Sequence, residues 1–409
     1  MPFLAITGGH GTATALNSMK GGLGIWLRGM AGTKISGTNS KGSVAVIQGG
    51  SLSGEVIEAV WKEGKTLVAG GCDCTGFTAP MLGGGHGWLQ GKYGLITDNL
   101  LSARVVLANA SVITVSSTEH SDLFWGLRGA GHNFGIVTSV NYQVYDRTSD
   151  ADEGFATASY TFTQDKLEAV FSLANKWIKA DHRPVELTHY AIFANAPPVD
   201  SKPIINFLVY WQGTSIPSTY TDPLNALKPV NVATSYVDLL GANANTGGSA
   251  NGSACAEGFS HQTYPVDLPA WNLENLRSTL NIFAELPAVG LGNSVMLLEG
   301  FAMNQVQAID SRQTAFPSRQ SNILASPLFT YEAGNATLDD AAVVYGKRIR
   351  STMLKNTGLQ LGAYVNYAHG DESQQAVYGY EAWRLWRLQS LKKAYDPYGK
   401  FNFYAPIKI

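Results

Sequence analysis

Through residue 147 the chain alternates short runs of Val, Ile and aromatic residues with Gly, Asn and Ser. The runs PFLAI, GIWLRGM, VAVIQGG, TLVAGG, ARVVLANASVITVS and FGIVTSVNYQVY each predict a β-strand bounded by turns. Within them, VVLANASVITV predicts a hairpin turning at Asn109–Ala110. One stretch, SGEVIEAVWKEGK, repeats its apolar residues at helical spacing instead. Val56, Ile57 and Val60 share a face, Ser53 is positioned as the N-cap, and Gly64 falls past the end.

From about residue 150 longer helical patterns alternate with strands. TQDKLEAVFSLANKWIKA predicts a helix, and PIINFLVYWQG and NSVMLLEGFAM predict strands. A polar loop, GANANTGGSANGSACAEG, interrupts this region. The helix EAWRLWRLQSLKKAY stops at DPYG and is followed by the aromatic segment FNFYAPI. No internal repeat is present, and the pattern predicts two α+β units, the first much richer in glycine.

Composition narrows the function. At 409 residues, 45% hydrophobic and 15% charged, the chain reads as globular and large enough for two domains. Its 29 basic and 31 acidic side chains are scattered, which argues against a nucleic-acid partner or an acidic membrane surface. No apolar run approaches the ~20 residues of a spanning helix. MPFLAITGGHG lacks the basic leader and apolar stretch of a signal peptide, and sequons occur at Asn109, Asn251 and Asn335, so localisation stays open, as does oligomeric state. Three cysteines are too few for a disulfide framework, and Cys72 and Cys74 are too close in sequence to pair comfortably.

The segment GGCDCTGFTAPMLGGGHGWLQGKYGL, Gly70 to Leu95, carries the candidate chemistry. A zinc site at Cys72 and Cys74 needs two more ligands; only Cys255 remains and the histidines are dispersed, so no metal is expected. A thioredoxin motif needs two residues between its cysteines, and a P-loop needs a terminal Gly-Lys-Ser/Thr. GAGHNFG imitates a dinucleotide fingerprint but leads into a strand rather than a helix. The remaining reading is a cradle. Gly83, Gly84 and Gly85, with GGH at Gly8–His10, remove side chains where backbone approaches a flat group. Backbone N–H groups in such turns hold pyrophosphate oxygens, which suits a large anionic planar cofactor.

On these residues the chain resembles the berberine-bridge-enzyme-like branch of the vanillyl-alcohol-oxidase flavoproteins. The carrying motifs are GGHG at Gly8–Gly11, the Gly70–Leu95 segment, DLFWGLRGAGHNFGIVTS at Asp122–Ser139, YVNY at Tyr364–Tyr367 and YDPYGKFNFYAPI at Tyr395–Ile407, in the family's order. The resemblance implies an α+β, two-domain PCMH/VAO-type FAD-binding fold, with an antiparallel-sheet substrate domain covered by helices. It divides the chain into a FAD-binding domain (1–147), a substrate-binding domain (148–363) and a C-terminal return to the FAD domain (364–409). It also implies covalent FAD, with His10 bonded to the flavin 8α-methyl and Cys72 to flavin C6. Cys72 lies 62 residues after His10 and 11 before Gly83, as in the doubly linked members. Cys74 has no counterpart and is expected to be a small buried side chain. Gly8, Gly9, Gly11, Gly76 and Gly83–Gly85 would form the cradle, and Asn133, Gly135 and Val137 would line the flavin. In the family a sizeable segment precedes the GGH motif and builds part of the pyrophosphate site. Here GGH begins at residue 8, so a shortened FAD domain is expected, with PFLAI a strand without its neighbours.

The implied reaction takes a proton from a hydroxyl or phenol, passes hydride to flavin N5 and reoxidises the flavin with molecular oxygen. Tyr364 is the first candidate base and Tyr367 the second; Asn366 would bond the flavin or orient a tyrosine. His369 is read as a solvated loop histidine in preference to a proton-transfer group, and Arg128 as a structural ion-pair partner. Trp88, Tyr93, Asp98 and Asn99 match the family's support for the flavin region or serve as core and turn. Thr75, three residues after Cys72, is valine-shaped but polar at the position that admits oxygen, which favours an oxidase. The small-molecule substrate is a secondary metabolite, with a carbohydrate or a post-oxidation cyclisation as alternatives. Tyr190, Phe193, Tyr210 and Trp211 would stack on it or fill the strands. A non-catalytic binding protein is the alternative from another class.

Overall fold

A computed structural model describes residues 1–149 and 152–409. The glycine-punctuated runs build a six-stranded sheet in the order Thr33–Asn39, Gly42–Gln48, Ile136–Asp146, Leu100–Val106, Val112–Ser116, with Lys65–Thr66 pairing the far end of Ile136–Asp146. The expected hairpin forms. Leu107 N–H donates to the Ser111 carbonyl at 2.9 Å, and Ala110 takes the left-handed conformation at φ 65°. TLVAGG pairs only at Thr66; Leu67, Val68 and Ala69 continue as a buried loop into the core, so most of that predicted strand is absent. PFLAI is not alone either, because Phe3–Ile6 pairs in parallel with Leu23–Trp26.

The helix Ser53–Lys62 buries Val56, Ile57 and Val60, and Gly64 takes φ 68° beyond it. Its cap lies one residue before the predicted one. Glu55 reaches back to accept from the Leu52 N–H at 2.9 Å, and Ser53 meets Thr75 at 3.1 Å instead of capping.

The second sheet has eight strands, with the path Asn231–Val237, Phe155–Phe162, Ile204–Gln212, Leu187–Ala194, Val295–Gly300, Ile323–Glu332, Phe259–Thr263. Its pairings are antiparallel, including that of Val266–Leu268 with Ile323–Glu332. Side chains alternate across a strand, so this sheet has two different faces. Ala191, Phe193, Phe207, Val209, Met296 and Leu298 share a core with the helices Leu167–Ile178, Leu273–Phe283 and Ala336–Leu354. Tyr190, Leu208 and Tyr210, with Ile192 and Leu297 packed beside them, join the core of the first sheet. The second face is therefore buried against the glycine-rich unit, and the candidate site forms there.

Residues beyond 363 return to the first unit. Asn133 donates to the Tyr378 hydroxyl at 2.9 Å and accepts from Ile407 N–H at 2.9 Å. Lys392, on the helix Ala382–Tyr395, is buried with Asp396 at 2.7 Å and donates to the Asn133 carbonyl at 3.0 Å. Thr14 N–H donates to the His369 carbonyl at 2.7 Å. Among the described residues no helix is long and apolar enough to cross a membrane.

Candidate active site

Two loops from the glycine-rich unit touch backbone to backbone. A Cβ on Gly8 would lie 2.4 Å from the Cys74 carbonyl oxygen, and one on Gly76 would lie 2.7 Å from Thr7 Cβ. Only glycine permits that approach, and it sets His10 Nε2 at 3.0 Å from Cys74 Sγ. Cys72 Sγ is 3.5 Å from Cys74 Sγ and 3.7 Å from Cys255 Sγ. Cys74 and Cys255 form a disulfide across 181 residues, leaving Cys72 as the free thiol. Cys74 is thus not merely a small buried side chain, and two of the three cysteines do pair at long range.

The fold also gathers what looked dispersed. The ligating atoms of His10, Cys72, Cys74 and Cys255 all lie within 4.8 Å of one another. Zinc binding requires thiolates, and the disulfide withholds two of these three sulfurs. Burial lowers the pKa of His10, with His261 adding to the effect, and burial raises that of the Cys72 thiol.

The start of the predicted polar loop is instead a short helix, Leu239–Ala244, capped by Asp238, and it and the loop after it close over this cluster. Trp88 Nε1 donates to Asn243 Oδ1 at 2.7 Å, Asn243 Nδ2 donates to Asp73 Oδ1 at 2.7 Å, and Asp73 N–H donates to the Gly248 carbonyl at 2.7 Å. Trp88 stacks on Tyr210 at 4.3 Å. Gly83, Gly84 and Gly85 meet protein rather than open space. Cβ atoms there would strike Asn366 Oδ1 at 2.2 Å, Phe316 Cδ2 at 2.5 Å and Ile96 Cβ at 2.7 Å. These glycines seat the C-terminal return and its neighbours. By contrast Gly9, at φ 74°, has nothing within 4 Å of its Cβ position.

The second cluster holds the tyrosines. The Tyr364 hydroxyl accepts from Asn366 Nδ2 at 2.7 Å and from His86 N–H at 3.3 Å. Asn366 also donates to the Pro80 carbonyl at 2.9 Å, so it orients a tyrosine. Tyr367 lies 5.3 Å from Tyr364, ring to ring, and its hydroxyl donates to Glu299 Oε1 at 3.0 Å. Strand register places Tyr190 opposite Glu299, and its hydroxyl donates to the same oxygen at 3.3 Å. Burial pushes the Glu299 carboxyl up to about 7, the two phenols opposing that rise. Burial also raises Tyr364 and Tyr367, the latter further through Glu299. Glu299 was not singled out from the sequence. Its signal was a lone acid inside the apolar run NSVMLLEGFAM. His86, in GGGHG, was missed as well. Its ring stacks on Phe301 at 5.6 Å and meets Tyr364 edge-on at 4.9 Å, and burial lowers it to about 4.

Other expectations shift. His369 is buried, stacked on Tyr264 at 4.2 Å and bonded to its hydroxyl at 3.0 Å, so it is no solvated loop histidine. Arg128 donates to the Gln313 carbonyl at 2.5 Å and lies over the Phe124 ring; the buried ion pair nearby is Asp98 with Arg319 at 2.6 Å. Asn133 uses its amide on the C-terminal return, a Cβ on Gly135 would lie 2.5 Å from Val105 Cγ1, and Val137 is buried in its strand. Gly11 packs beside Leu16 and Tyr404. Phe193 lies in the helix-side core and Trp211 beside Tyr220, leaving Tyr190 and Tyr210 on the site face. A small cavity of about 10 Å3 is lined by His86, Glu299, Phe301 and Met303. It shares Asp267, Ser318 and Ser321 with an open one of about 360 Å3.

Two sheets joined through this glycine-rich site define a flavoprotein of the PCMH/VAO type. The FAD binding domain family matches residues 1–116, and the berberine and berberine-like family matches residues 363–408. The FAD-linked oxidoreductase chry5 of Gibberella zeae is 39% identical over 416 residues, covering 100% of this chain and 80% of that protein. Berberine-bridge-enzyme-like 1 of Physcomitrella patens superposes with a TM-score of 0.81 at 21% identity, covering 100% of this chain and 87% of that one. Glucooligosaccharide oxidase of Acremonium strictum gives 0.81 at 21%, covering 100% and 86%. The chain belongs to the berberine-bridge-enzyme-like FAD-linked oxidoreductases, and FAD is its cofactor. The residues present fit that cofactor. An imidazole and a free thiol gathered beside the open turn at Gly9 are the donor types that bond to the benzenoid edge of a flavin.

Proposed function

We propose that this protein is an oxidase of a hydroxyl- or phenol-bearing small molecule, with FAD tethered at His10 and Cys72 and the substrate proton taken by Tyr367. The observation that carries the reading is the hydrogen bond from Tyr367 to buried Glu299. Bound FAD supplies the hydride-accepting chemistry and the passage of electrons to dioxygen. Tyr367 has an acceptor for its own proton, so a proton from substrate can enter its phenol oxygen as its hydroxyl proton passes to Glu299. Tyr364 is held instead by two N–H donors, which leaves its hydroxyl proton free to orient substrate. The order of the two candidate bases is therefore reversed from the sequence reading.

The tethers draw support from the donor cluster and from a relative. The Acremonium strictum glucooligosaccharide oxidase carries a 6-S-cysteinyl, 8α-N1-histidyl FAD. Oxygen use draws support from Thr75, whose hydroxyl is satisfied by the Cys72 carbonyl at 2.8 Å and so presents a valine-like side chain. The proposed division at residues 147 and 363 draws support from the separate strand sets of the two sheets. An oligosaccharide is the second reading for the substrate. It is favoured by the open cavity lined by Gln320, Gln360, Gln375 and Tyr380, and by the carbohydrate oxidases among the solved structures of like fold.

The test is direct. Acid-precipitated protein should stay yellow, the peptides of His10 and Cys72 should carry flavin mass, and peroxide should appear when phenols, secondary alcohols or oligosaccharides are screened in air. Colourless precipitate with unmodified peptides removes the tethers. Turnover only with an artificial electron acceptor makes the protein a dehydrogenase.

A further inference from the structure

We infer that Cys72, Cys74 and Cys255 form a thiol–disulfide exchange centre that decides which sulfur is left free beside His10. A thiolate exchanges by attacking a disulfide sulfur, which requires contact between the three sulfurs involved. The sulfurs are gathered here: Cys72 Sγ lies 3.5 Å and 3.7 Å from the two sulfurs of the Cys74–Cys255 bond, side-on to it, and rotation of the Cys72 side chain brings it into line. Attack on Cys74 would join residues two apart, whereas attack on Cys255 forms another long-range link, so the productive exchange is Cys72 with Cys255. The Cys72–Cys255 bond forms, the Cys74–Cys255 bond breaks, and Cys74 leaves as a thiolate. The proton lost by Cys72 ends on Cys74, and His10 Nε2, 3.0 Å from that sulfur, can hand it over. Electrons are conserved, so the exchange needs no oxidant or reductant.

A second observation supports it independently. The loop bearing Cys255 is docked without the disulfide, by Asp73 N–H to the Gly248 carbonyl at 2.7 Å and by Asn243 to Asp73 at 2.7 Å and the Gly70 carbonyl at 3.3 Å. The sulfurs therefore stay gathered while the bond moves. The consequence rests on Cys72 being the flavin tether: a Cys72 held in a disulfide cannot bond to flavin, so the linkage pattern sets the doubly tethered fraction.

The experiment compares the full chain with C74S, C255S and C74S/C255S, each incubated with oxidised glutathione as the two-electron oxidant. Samples are acid-quenched, alkylated with iodoacetamide, digested without reductant and mapped by mass spectrometry. In C74S a Cys72–Cys255 link is expected in the chains that carry no flavin on Cys72, and their share rises several-fold because the link forms before flavin is loaded. In C74S/C255S, Cys72 is expected to carry no protein disulfide, only glutathione, iodoacetamide or flavin, with its flavin share restored, which loss of a purely structural disulfide would not produce. C255S, with Cys72 and Cys74 both reactive or flavin-bearing, controls for the fold. A C74S protein in which Cys72 and Cys255 remain unlinked, with flavin on Cys72 unchanged, overturns the inference. In the full chain a Cys72–Cys255 link beside alkylated Cys74, with no flavin on Cys72 in any variant, upholds the exchange and removes only the tether.

Discussion

Replacing Glu299 with glutamine tests the proton acceptor and its setting together. An unfolded chain ionises this carboxyl near 4.5, whereas burial in the fold holds it to about 7. Between those values the unfolded state binds fewer protons than the folded one, so stability falls as pH rises and levels off above about 7. The gap of about 2.5 pH units is worth about 3 kcal/mol, at roughly 1.4 kcal/mol per unit. For a chain of 409 residues, with unfolding entropy of about 2.1 cal/mol/K per residue, that is about 4 °C in Tm. Glutamine keeps an acceptor for Tyr190 and Tyr367 but cannot ionise. The Tm difference, variant minus parent, should therefore grow by about 3 °C between pH 5 and pH 8, since part of the effect is already spent at pH 5, read by thermal unfolding of the holoenzyme. In steady-state assays the parent kcat should rise through pH about 7, and E299Q should be slow and flat with KM little changed. Parallel Tm profiles would refute the buried-carboxylate argument. An unaltered kcat profile would refute the proton relay.

Asp98→Ala leaves wholly buried Arg319 without its carboxylate, and thermal unfolding should report a loss of about 3–5 kcal/mol. Gly84→Ala places a Cβ 2.5 Å from Phe316 at φ 110°. It should cost about 1–3 kcal/mol from the backbone alone and lower flavin absorbance per protein; trimming Phe316 to Leu should return only the packing share. Asn133→Ala deletes the donor to Tyr378 and the acceptor of Ile407 N–H. Each partner left unsatisfied costs about 1–3 kcal/mol, and limited proteolysis should cut the segment after Tyr395 faster than in the parent.

What the sequence disclosed was local. The turn at Asn109–Ala110, the helix face of Val56, Ile57 and Val60, and the strands around Phe207 and Leu298 follow from periodicity and turn chemistry that neighbours do not overrule. Competing partners moved other features. Glu55 captured the cap from Ser53, and Leu67–Ala69 exchanged strand pairing for burial in a loop. The resemblance led to His10, Cys72, Tyr364 and Tyr367, but Glu299 and Cys255 come from the second sheet and from a polar loop. No short window of sequence contains both members of either pair. The glycine triplet was read as backbone approaching a flat group; its Cβ positions face Asn366, Phe316 and Ile96, which only the tertiary fold reveals.

Asn133 and Thr14 both wait for partners encoded more than two hundred residues later, at Ile407 and His369. A ribosome making this chain completes the whole second sheet before those partners exist. Residues near His10 must therefore stay open through most of synthesis, and the cofactor's compartment closes only when the returning segment arrives. Flavin loading at the proposed tethers is then expected late, once the polypeptide is essentially finished, and a product cut short before residue 363 would lack the segment that Asn133 and Thr14 bond to.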